Sequence, residues 1–256
     1  MTFSISLRYR HWRYVWIPIA AAAMWFSTLL AMLIVWLAFG RPKYVSMEGS
    51  IAFISDIGAS NVKPLFVTGC AITGLGFFLS LVVERYLRHS GRLMPNMRTR
   101  ERVFSSLAIL GSFIGGLGLL FLSIFDTKRY TQAHRICLLV FLVGVALSAI
   151  FSVIEYRWIS KDFAEHRQVK TAYCAKAAIA SILIVLAIGF AVALFSAPNA
   201  GAILEWTIAF GFTFYLLTFY YDLRLSKNVE KGTLTAQRLS QSNGSSLANP
   251  NMTQVV

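Results

Sequence analysis

VFSSLAILGSFIGGLGLLFLSIF, residues Val103–Phe125, holds no charged side chain. In hydrocarbon every backbone N–H and C=O must be paired inside the chain. A run of about 20 apolar residues is therefore read as a membrane-spanning helix. Working outward, the same reading applies to Trp16–Phe39, Leu65–Val83, Ile136–Ile154, Cys174–Phe195 and Ala202–Leu223. The last carries Glu205 in its first turn. The expected fold is all-α, a polytopic membrane protein built as a six-transmembrane-helix bundle.

Orientation follows from the basic residues in the connections. With the N-terminus cytosolic, eighteen of the 24 Lys and Arg residues fall on the inside. The outside keeps Arg41, Lys43, Lys63, Lys128, Arg129 and Arg135. Both termini are expected in the cytosol. Residues 1–15 form a basic tail, 16–225 the membrane domain, and 226–256 a polar, Ser-rich tail expected to be disordered.

The chain is 57% hydrophobic and 14% charged, with a net charge of +13. Basic loops beside a membrane explain that charge through the orientation rule and attraction to anionic headgroups. No basic cluster interleaved with aromatics suggests nucleic acid. The first apolar run is too long for a signal peptide and lacks a small-residue cleavage site. Cys70, Cys137 and Cys174 lack the number and spacing of a disulfide framework or metal site. No Gly-rich phosphate loop, zinc motif or nucleophile elbow is present, and the four histidines do not pair across spans as haem ligands. No cofactor or metal is expected.

Small residues recur at helical spacing in two spans: Gly69, Thr73 and Gly76, then Ala108, Gly111, Gly115 and Gly118. Such stripes let helix backbones approach closely, so intramolecular packing is the favoured reading over a groove for a lipid tail. Tyr86, Tyr156, Trp158 and Tyr173 are expected at the headgroup level, and Lys176 is expected to snorkel back to the cytosolic face. No ionisable residue lies mid-span, which argues against a pump or a charge-lined channel. The polar residues left over gather at the outer ends: Asp56 in the long loop, Asp126, His134 and Glu205. Asp126 ends a helix, where a carboxylate meets the negative end of the dipole. Lys128, Arg129 or His134 are the candidates to offset it. Capping and loop-pinning outweigh a catalytic role here, although His134 would be the natural proton carrier for lipid chemistry.

The same positions carry a family likeness. Phe53-Ile54-Ser55-Asp56-Ile57-Gly58 with Pro64, Phe125-Asp126 followed by His134, and Ile203-Leu204-Glu205-Trp206 together resemble the signatures of the DRAM/Sfk/Frag family of six-span membrane proteins. The likeness also extends to the N-terminal region of a yeast cell-wall biogenesis protein. It implies three kinds of role: autophagy modulation at lysosomal membranes, support of a phosphatidylinositol 4-kinase at the fungal plasma membrane, and remodelling of GPI-anchor lipid in the Golgi or ER.

Sequence and resemblance together lead to the expectation of a non-enzymatic protein that organises or regulates membrane lipid, with the plasma membrane favoured over endomembranes. Anionic phosphoinositides or a cytosolic partner such as a lipid kinase complex would meet the basic patch Arg85, Arg88, Arg92, Arg98, Arg100 and Arg102. The alternative is a lipid-remodelling enzyme of GPI-anchor type, with His134, Asp56, Asp126 and Glu205 as its outer-leaflet site. Oligomeric state is not legible from the sequence.

Overall fold

A computed structural model describes residues 14–93, 99–162, 167–226, 229 and 231–232, without the side chains of 158–172. Among them are seven helices: α1 (Ile17–Ala38), α2 (Ile54–Gly58), α3 (Lys63–His89), α4 (Thr99–Ile124), α5 (Thr131–Asp162), α6 (Arg167–Ser196) and α7 (Pro198–Arg224). All but α2 are long and apolar enough to cross a membrane, so the protein is a six-span integral membrane bundle. Each expected span lies within one of these helices or overruns it by a residue. The tail from 226, expected to be disordered, lies almost wholly outside the described residues.

Proline sets three of the helix starts. Pro18, Pro64 and Pro198 sit in the first turn of α1, α3 and α7, where the missing N–H costs nothing and the fixed φ suits the helix. Arg88 and His89 end α3 and Arg224 ends α7, next to the negative end of each helix dipole. With six antiparallel spans, α1 starts and α7 finishes at the same end of the bundle. Val15, Leu87, Leu93 and Leu223 form a buried cluster there. This is the basic face; α2 lies at the other, called here the α2 face.

The glycine stripes pack inside the molecule, as their spacing suggests. A Cβ on Gly69 would meet Thr28 of α1 at 2.3 Å, and one on Gly76 would meet Ala21 at 2.6 Å. One on Gly118 would come within 2.6 Å of the Phe141 backbone on α5, and one on Gly144 within 2.6 Å of Gly115. Close backbone approach thus joins α4 to α5, where hydrocarbon offers no hydrophobic drive. α6 packs chiefly on α7 and only lightly on α5. Its Ile182, Val185, Ile188 and Val192 are all at least 60% exposed, a side turned to lipid.

Towards the basic face the expectations change. Lys176 does not snorkel: it is 1% exposed, pairs with Asp222 of α7, and lies 3.9 Å from the Phe219 ring centroid. Tyr156 is no interfacial anchor: it is buried and donates its hydroxyl to Glu84 at 2.8 Å. Tyr86, by contrast, is exposed. Arg88 does not belong to a surface patch either. It is 4% exposed, makes an i,i+4 pair with Glu84 at 2.7 Å and reaches Glu155 at 3.7 Å. The sequence reading placed these groups in loops or at their edges. Helices extended beyond the apolar runs draw them inside, where charges survive only when paired.

Candidate functional site

The connection between α1 and α3 is held over the α2 face by the start of α7. Asn199 Oδ1 accepts from the backbone N–H groups of Ser50 and Ile51 at 2.7 and 3.2 Å. Trp206 Nε1 donates to the Ala52 carbonyl at 3.0 Å, and Glu205 Oε2 accepts from Ile54 N–H at 2.7 Å. Ala52 and Ile57 are fully buried, so this loop is part of the fold.

Asp56 completes the turn. Its carboxylate accepts from Phe53 N–H at 3.1 Å, in the manner of a capping box, and from the Ser46 hydroxyl at 2.5 Å. Burial raises its pKa above the ordinary 3.8, against the lowering effect of those two hydrogen bonds.

Asp126 plays a different part. The expected compensation comes mainly from another residue: Lys63, at the start of α3, pairs with it at 2.6 Å. Arg129 contributes its backbone N–H at 2.8 Å. Burial pushes the Asp126 carboxyl up, but Lys63, the Arg129 N–H and the two positive charges outweigh it, and its pKa falls below 3.8. Asp126 joins the α4–α5 connection to α3 and does not line the cavity described next.

His134 caps the end of α4. Its Nδ1 lies 2.8 Å from the Leu122 carbonyl and 2.9 Å from that of Phe125. Both are acceptors only, so Nδ1 carries the proton and serves two carbonyls left without helical partners. Nε2 is consequently a bare lone pair. It is buried and has no hydrogen-bond partner.

Asp56, His134 and Glu205 line one cavity of about 360 Å³ at the α2 face, with Ser46, Lys128 and Arg135 among its other walls. That volume falls within the usual range of small-ligand pockets, about 300–1,000 Å³. Leu138, Phe190 and Glu205 also line a second, apolar cavity of about 90 Å³ running between α5, α6 and α7. Phe141, Val145, Ala146, Leu183, Ala187 and Phe212 wall this shaft, and Tyr215 lines it too. Glu205 is thus a wall residue of both the polar mouth and the apolar shaft. Neither ring nitrogen of His134 reaches a carboxylate. Three of the four outer-site candidates share a cavity.

Of the basic patch, Arg100 and Arg102 are exposed, Arg85 and Arg92 are half-buried, and Arg98 lies outside the described residues. Arg85 donates to the Arg102 carbonyl at 3.4 Å, which ties α3 to α4. The sequence reading missed the roles of Ser46, Lys63 and Asn199, and the buried group Glu84, Glu155 and Asp222. Glu84 and Arg88 at i,i+4, with Lys176 and Asp222 each just inside a span, were the available signal.

A six-span helical membrane protein with a polar cavity at one face, sharing wall residues with an apolar cavity between its helices, is the class that fold and site define. Its sequence places it further. Residues 13–226 match the family model described as the Frag1/DRAM/Sfk1/Cwh43P N-terminal domain, and the chain belongs to that family. Protein SFK1 of Saccharomyces cerevisiae is 33% identical over 185 residues, covering 60% of this chain and 52% of the yeast protein. Protein sfk1 of Schizosaccharomyces pombe is 25% identical over 238 residues, covering 89% of this chain and 72% of its own length. The match to the first of these relatives spans about half of that relative. No solved structure matches.

Proposed function

We propose that the protein is a non-enzymatic organiser of membrane lipid that holds one lipid with its polar group in the α2-face cavity and a chain in the shaft. The observation that carries this reading is that a polar and an apolar cavity lie side by side, with Leu138, Phe190 and Glu205 lining both. The light packing of α6 on α5 supports a lateral route from the bilayer. The basic bias of the other face supports a cytosolic placement for both termini, and the plasma membrane is the site of action in this reading. There Arg85, Arg92, Arg100 and Arg102 are offered to anionic phosphoinositides or to a lipid kinase complex.

The test is to fill the shaft. Ala146→Trp and Ala187→Trp place an indole against its walls, and the lipid that co-purifies in mild detergent is counted by native mass spectrometry. At least a twofold drop relative to the parent is expected, with an unchanged elution profile. Lipid content equal to the parent in both folded variants would overturn the proposal.

One observation favours the enzymatic alternative, a remodelling enzyme of GPI-anchor type: the bare Nε2 of His134, a potential general base. Lipid turnover by the purified chain, abolished in His134→Gln, is the result that would establish it.

A further inference from the structure

We infer that the α2-face cavity selects a lipid bearing a primary ammonium group, held by Asp56 and Glu205 and accepted by Nε2 of His134; the inference rests on the lipid-holding reading above. It begins from a count of charges. Among the described residues, Glu48 faces Arg135, Glu84 and Glu155 face Arg88, Asp126 faces Lys63, and Asp222 faces Lys176, while Glu101 has an interaction of its own away from this cavity. Asp56 and Glu205 share the cavity wall without any such partner. Their hydrogen bonds come from the Ser46 hydroxyl and from the backbone N–H groups of Phe53 and Ile54. A buried carboxylate that lacks a cation is costly, and a bound cation would supply the missing charge.

His134 is an independent observation. It is 3% exposed, its Nδ1–H is committed to two carbonyls, and its Nε2 has no partner. A lone pair in that state asks for a hydrogen-bond donor. Two carboxyl groups without a cation partner suit a positive charge, which would hold both as carboxylates, and the apolar shaft that Glu205 also lines suits a chain. A primary ammonium on a lipid meets all three needs. A hydroxyl donates but carries no charge, and a quaternary ammonium is charged but donates nothing. Lys128, exposed at the rim of the same cavity beside the Glu48–Arg135 pair, suits a phosphate if the ammonium lies beyond one.

The chemistry has two sources, a single-chain amine and an aminophospholipid. The test uses the full chain in phosphatidylcholine nanodiscs, with retention of four tritiated probes measured: hexadecylamine, hexadecanol, hexadecyltrimethylammonium and phosphatidylethanolamine. At least one primary-amine probe is expected to bind roughly tenfold tighter than both hexadecanol and the trimethylammonium analogue. Whichever amine is retained identifies the source. Glu205→Gln should erase that preference, and Asp56→Asn should weaken it. If the alcohol or the quaternary amine binds as well as both primary amines, the inference falls. Should lipid occupancy nevertheless respond to Ala146→Trp, the lipid-holding reading survives without it. The probe series on the unaltered chain decides the matter even if a variant fails to fold.

Discussion

Replacing Lys176 with Met should destabilise the bundle more than any surface change. Lys176 and Asp222 are each 1% exposed at the side chain, so removing the ammonium leaves a carboxylate that water cannot reach. Breaking a buried pair from one side costs about 3–5 kcal/mol. The ammonium also lies over the rings of Phe219 and Tyr156, at 3.9 and 4.7 Å from their centroids, and those attractions are lost as well. At about 2–4 °C per kcal/mol for a chain of this size, Tm should fall by roughly 6–20 °C. Lys176→Met combined with Asp222→Leu removes one charge of each sign. Glu84 loses its attraction to Lys176 and its repulsion from Asp222 together, the net charge of the buried group is unchanged, and the double variant should recover to within about 1 kcal/mol of the parent. Thermal unfolding followed by size-exclusion chromatography in detergent reads both effects. A double variant that melts as low as Lys176→Met would refute the reasoning, as would a single variant that melts like the parent.

Two further outcomes follow from the packing and from the α2 face. Gly144→Ala should cost about 1–3 kcal/mol in the same melting assay, because the new methyl meets the Gly115 backbone at 2.6–2.7 Å and neither helix can yield alone. Asp126→Asn should cost about 1 kcal/mol at neutral pH, since Lys63 is 33% exposed and regains water. The folded-state pKa of Asp126 is depressed, so its contribution is complete above 3.8 and is lost as pH falls through the lower folded value. The gap between parent and variant should therefore close in acid, and a gap that widens there would contradict the Lys63 pairing.

The six spans were legible because hydrocarbon leaves a long apolar run almost no alternative to a helix. Glycine spacing was legible for the same reason: α4 presents Gly111, Gly115 and Gly118 on one side whatever it meets. Partner identity was not. Lys63 and Asp126 are 63 residues apart, and Lys176 and Asp222 are 46 apart, so only the folded bundle brings them together. Where the apolar run stopped, the reading also stopped the helix. In fact α5 runs on to Asp162 and α3 to His89, and these polar extensions carry Glu84, Arg88, Glu155 and Tyr156 into the interior. At the α2 face, the likeness of short motifs singled out Asp56, His134 and Glu205. It could not separate them from Asp126, whose neighbour Lys63 gives it a purely connecting role.

The ties on α6 limit how the bundle can open. At the α2 face Ala197 alone separates α6 from α7, and near the basic face the Lys176–Asp222 pair binds the same two helices. Pinned near both ends, α6 cannot swing aside as a door would. Its central stretch, with Val185 and Ile188 outside and Leu183 and Ala187 against the shaft, lies between those two ties and packs only lightly on α5. For the lipid-holding role proposed above, that lightly packed middle of α6, and not its ends, is where a chain would enter from the bilayer.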